Sequence, residues 1–132
     1  MMTFDIPSNP QHSPIYKKAL DIFVLSRHIS AYFVQDLCTL QANGEEDPHI
    51  YCSGDIVQQS VSLAPEILKA ENQLFSEHKH KYAASVGRLI NLLNKNCERL
   101  ERANTTGKDF LPLLRNEIKK FRKLQRSWKP AL

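Results

Sequence analysis

SEHKHKYAASVGRLINLLNKNCERLERA, residues 76–103, is the stretch that decides the fold. Tyr82, Val86, Leu89, Ile90, Leu93, Cys97 and Leu100 recur along it at spacings of three and four, the period of one face of an α-helix. Lys81, Arg88, Lys95, Arg99 and Arg102 lie opposite, within an arc of about 60°. A helix so divided must bury its apolar side against neighbours, and the flanking sequence supplies them.

Ser76 reads as the cap of this helix and Asn104-Thr105-Thr106-Gly107 as its end, which predicts a helix over 77–103. Downstream, Asp109 is the expected cap of a helix over 110–128, with Pro112 in its first turn and Pro130 as its stop. Leu114, Ile118, Phe121 and Trp128 form its seam. Upstream, Ser13-Pro14 pairs a capping serine with a proline whose missing N–H costs nothing there. From it Ile15, Ala19, Ile22, Ser26, Ile29, Phe33, Leu37 and Leu40 predict a helix over 14–42 that ends at Asn43-Gly44. Asp47-Pro48 repeats the start signal for a helix over 48–75, with Ile56, Val61, Leu63, Ile67, Leu68 and Leu74 as its apolar surface. Gly54 and Pro65 weaken that helix, and Pro65 should kink it.

Residues 1–12 are expected to be a flexible lead and 13–129 a single domain. Four long helices with short connections predict an all-α, up-down-up-down antiparallel four-helix bundle. No strand pattern, repeat or low-complexity tract competes. A hydrophobic content of 42% and a charged content of 24% fit one globular core. No apolar run is long enough to span a bilayer. Met1 to Pro10 lacks the cationic start and apolar centre of a signal peptide. Cys38, Cys52 and Cys97 are odd in number and widely spaced, as expected of reduced thiols in a cytoplasmic protein.

Charge is divided along the chain. Residues 1–78 carry four basic and ten acidic side chains, and residues 79–132 carry fourteen basic and four acidic ones. In the last helix Arg115, Lys119, Arg122, Arg126 and Lys129 fall within about 80°, next to the apolar seam. Like charges at these spacings repel by a few tenths of a kcal/mol each, and only Glu117 relieves the segment 115–129. Two adjacent basic stripes suggest a polyanionic partner such as RNA or DNA. An acidic protein surface is the rival. On the first helix Leu20, Val24 and Ala31 lie away from the seam, an apolar surplus that a subunit interface would explain.

Catalytic signals are missing. His12, His28, His49, His78 and His80 show no metal-ligand spacing, and Glu66 and Glu71 lack the Glu-x-x-His partners of a carboxylate metal centre. There is no glycine-rich phosphate loop, nucleophile elbow or HExxH. Arg27-His28 has the wrong spacing for the Arg-to-His pair of helical nucleases of the HEPN type. The expectation is no enzyme, no metal and no cofactor.

The order of features resembles a bacterial family of small four-helix-bundle proteins. It includes proteins encoded in intervening sequences of ribosomal RNA genes and the accessory variability proteins of diversity-generating retroelements. The resemblance rests on Tyr16-Lys17-Lys18-Ala19-Leu20, Ser62-Leu63-Ala64-Pro65-Glu66-Ile67, Lys81-Tyr82-Ala83-Ala84-Ser85-Val86-Gly87 and the basic last helix ending at Trp128. Where the family commonly has Asn-Ile-Ala-Glu-Gly, this chain has Ile67-Leu68-Lys69-Ala70-Glu71-Asn72 without the glycine. Tyr82-Ala83-Ala84 and the basic end look more like the retroelement branch. The resemblance implies a ring-like homopentamer that binds nucleic acid and a reverse transcriptase without catalysing a reaction.

The sequence thus leads to a non-enzymatic nucleic-acid-binding bundle, an accessory subunit of a retroelement reverse transcriptase. Its alternatives are a protein-interaction scaffold and an intervening-sequence bundle protein of unknown task.

Overall fold

In the computed structural model, which describes residues 12–37, 44–45, 47–103 and 105–132, the chain is helical, with no strand among the described residues. Four α-helices, α1 (Pro14–Leu37), α2 (His49–Asn72), α3 (Ser76–Leu100) and α4 (Leu111–Ala131), form a helical bundle. A short 3-10 helix, Thr106–Phe110, leads into α4.

The buried faces follow the periodic rows. Ile15, Ala19, Ile22, Ser26, Ile29 and Phe33 are buried on α1, and Val86, Ile90, Leu93, Cys97 and Leu100 on α3. Ile56, Leu63 and Ile67 from α2 and Leu114, Ile118 and Phe121 from α4 complete the core. Each of the larger side chains contributes roughly 1.5–3 kcal/mol by leaving water. Three expected members of α2, Val61, Leu68 and Leu74, do not join them, Leu68 being half-buried outside the cluster. Val61 is exposed on the side of α2 that borders α1, and Leu74 is 90% exposed because it lies in the turn beyond the helix.

Two of the four expected caps form. Ser13 Oγ accepts the Tyr16 N–H at 3.4 Å, and Asp47 Oδ1 accepts the His49 N–H at 2.9 Å. That bond to the backbone, aided by the His49 ring at 2.8 Å, holds the Asp47 carboxyl below its usual range. Ser76 does not cap α3. Phe75 takes the cap position with extended backbone, and its carbonyl accepts the His78 and Lys79 N–H groups, which leaves Ser76 as the first helical residue.

Asp109 does not cap α4 either. Thr105 supplies the cap, accepting the Lys108 N–H at 3.3 Å, and Asp109 falls inside the 3-10 helix. Gly107 lies so close to α1 that an added Cβ would stand 2.8 Å from Phe33 Cδ1.

The α2 helix continues through Pro65 to Asn72 rather than to 75, and α3 ends at Leu100 rather than 103. The α4 helix extends beyond 128, and Pro130 sits in its last turn without stopping it. A proline there removes one backbone bond from a turn whose carbonyls already face water. Gly44, expected with Asn43 to end the first helix through a left-handed backbone, has a positive φ of 84°. Cys38, Leu40, Asn43 and nearly all of the N-terminal lead lie outside the described residues.

Candidate nucleic-acid interface

Side-chain contacts fix how α3 and α4 meet. Arg115 Nη1 donates to Glu101 Oε1 and Oε2 at 2.9 and 2.8 Å, and its Nη2 lies 3.6 Å from Glu98. Further along, Arg122 Nη2 donates to Asn91 Oδ1 at 2.8 Å. Gly87 faces the Gln125 side chain, within van der Waals reach of an added methyl group. These contacts mark the seam. Further round each helix from it, on the solvent side, lie Arg88 and Lys95 on α3, about a quarter turn away, and Lys119 and Arg126 on α4, about 20–60° from Arg115 and Arg122. All four are exposed and make no ion pair among the described residues.

The ten cations singled out in the sequence therefore do not act alike. Lys81, Arg88, Lys95, Arg99, Arg102, Lys119, Arg126 and Lys129 are exposed. Arg99 also donates to the Oδ1 of buried Asn96 at 3.2 Å, while Asn96 donates to Gln59 at 3.1 Å, so its guanidinium is held in place but keeps its charge. Arg102 lies just past the end of α3, held by its N–H bond to the Arg99 carbonyl. Arg122 is half-buried and bonded to a neutral amide, so it too stays uncompensated. Arg115 is the exception: its charge is met by Glu101 and Glu98, and it serves to tie α4 to α3.

Glu117, the one acid within the basic run of α4, turns to the other side. It accepts a hydrogen bond from Lys18 of α1 at 2.9 Å and lies 3.2 Å from Lys120. The Lys18 bond, then Lys120, holds its carboxyl below the usual carboxylate range, and the same bond raises Lys18. Glu117 therefore does little to relieve the outer cations. Lys123, exposed and without an ion pair among the described residues, widens the basic face and lay outside the arc drawn on the sequence. Glu98 and Glu101 could be recognised as seam acids only once the α3–α4 register was known.

Leu20 and Val24 of the predicted subunit interface are 42% and 53% exposed, and Ala31 is exposed beside them. No cluster of three or more potential metal ligands occurs among the described residues. The Cys97 thiol is buried, and burial pushes its pKa up to about 12, so it is a core side chain rather than a nucleophile. No helix among the described residues is long and apolar enough to cross a membrane. No protein-family model matches the chain, and no curated protein or solved structure matches it.

Proposed function

We propose that this chain is a non-enzymatic, homo-oligomeric nucleic-acid-binding protein that serves as an accessory subunit of a retroelement reverse transcriptase. The supporting observation is the outer face of α3 and α4, where Arg88, Lys95, Lys119, Lys123 and Arg126 stand exposed without ion-pair partners among the described residues. Such a face neutralises phosphates through point charges and forks without reading bases. The cross-helix contacts favour an antiparallel up-down-up-down order, since early α3 (Gly87) meets late α4 (Gln125) and late α3 (Glu101) meets early α4 (Arg115). In that order the exposed Leu20 and Val24 lie across the bundle from the basic face, leaving nucleic acid and subunit contacts on separate sides. The reverse transcriptase and a ring-like pentamer come from the family resemblance.

The test is fluorescence anisotropy with unrelated RNA and DNA, single- and double-stranded, at low salt. Binding to all of them is expected, weakened alike by Lys119→Glu with Arg126→Glu. Absence of binding at low salt would replace this reading with docking to an acidic protein.

A further inference from the structure

The groove between α1 and α2 has a volume of about 320 Å³ and is lined by Tyr16, Leu20, Phe23, Val61, Pro65 and Leu68. Ala19 and Ala64, small and buried, line it as well. Beyond the end of α2, the α2–α3 turn presents Leu74 and Phe75, 90% and 64% exposed. Phe75 holds the cap position of α3, where Ser, Thr, Asp or Asn would satisfy a backbone N–H, and it makes no side-chain cap bond. Phe75 meets the His78 ring edge-on at 6.0 Å, and most of both apolar side chains stays in water.

We propose that the Leu74-Phe75 turn of one copy seats in the α1/α2 groove of a second copy. Size agrees: a dry apolar cavity of about 150 Å³ accepts a benzene-sized group, so the groove has room for both side chains. Charge agrees as well. Lys17 and Arg27, both exposed, flank Leu20 and Val24 at helical spacing, and exposed Glu77 follows the turn in the first turn of α3. A chain cannot fill its own groove this way, because the turn leaves the end of the very helix that forms one wall, with both side chains in solvent. Donor and acceptor are different surfaces of one chain, so the contact builds a reciprocal two-fold pair, a ring or an open chain of copies.

This inference rests on the oligomeric reading above and narrows it to a contact. Its test uses two variants in exposed positions that leave the core intact: Leu74→Asp with Phe75→Asp, and Leu20→Glu with Val61→Glu. Light scattering on the wild type should report an oligomer, and each variant alone a monomer with an unchanged helical spectrum. An equimolar mixture should give a one-to-one heterodimer and nothing larger, since one chain retains the groove and the other the turn. A wild-type monomer would overturn both the oligomeric reading and this contact. A wild-type oligomer whose turn variant keeps the wild-type mass, or a mixture that stays monomeric, would overturn the contact alone.

Discussion

Replacing Gly107 by Ala tests how the 3-10 helix seats α4 against α1. The added Cβ would stand 2.8 and 2.9 Å from Phe33 Cδ1 and Cε1, and 3.1 Å from Tyr32 Cβ. Phe33 is fully buried and cannot swing aside, and the Tyr32 ring is stacked on Phe110 at 4.9 Å. Overpacking of this kind costs about 1–3 kcal/mol, offset by roughly 0.4–1 kcal/mol from the stiffer unfolded chain. The net loss should be about 0.5–2 kcal/mol, or roughly 2–8 °C in melting temperature for a chain of this size. Gly54→Ala is the paired control. Its Cβ meets nothing within 4 Å inside α2, so it should stabilise by about 0.5–1 kcal/mol. Urea denaturation followed by far-ultraviolet circular dichroism measures both. If Gly107→Ala stabilised as Gly54→Ala does, the 3-10 helix would not be packed on Phe33.

Three further outcomes follow from single contacts. The Glu117 pKa is depressed by Lys18, so its contribution is complete above the unfolded value of about 4.3 and is lost as pH falls through the folded value. Denaturation midpoints should therefore drop as pH falls below about 5, and Glu117→Gln should flatten that drop. Because the buried Cys97 thiol stays protonated, a thiol reagent near neutral pH should modify it only as fast as the chain unfolds, and Cys97→Ser should abolish that slow phase. Trp128 Nε1 donates to Glu71 Oε2 at 2.9 Å, so Trp128→Phe should cost about 1.5–3 kcal/mol in equilibrium unfolding, and a loss within error of zero would mean the bond contributes nothing.

The helices were legible because each carries its apolar face in a local period that chain neighbours alone determine. Ile15 to Phe33 and Val86 to Leu100 needed no knowledge of the rest of the fold to be placed in a core. Ser13 and Asp47 were legible for the same reason, since their side chains bond backbone groups two or three residues away. The cap at Ser76 slipped by one residue because the extended backbone at Phe75, set by the tight turn from α2, determines which carbonyl closes the first turn. Asp109 was displaced by a long-range contact, the seating of Gly107 on Phe33, which draws the chain into a 3-10 helix before α4. The basic stripes were legible as helix faces. The distinction between Arg115, tied to Glu101, and the free Lys119 depends on the register between α3 and α4, which no local pattern encodes.

The central claim, one basic face spanning α3 and α4, is tested most directly by the salt dependence of duplex binding. Each phosphate contact contributes about −0.9 to the slope of log affinity against log salt. Neutralising Arg88 and Lys95 to Gln on α3 should make the slope shallower by about 1.8, as should neutralising Lys119 and Arg126 to Gln on α4. All four together should change it by about 3.6, while Lys17→Gln with Lys69→Gln, on α1 and α2, should leave it unchanged. A slope that ignores the α3 and α4 substitutions, or that responds equally to the α1 and α2 pair, would contradict the account.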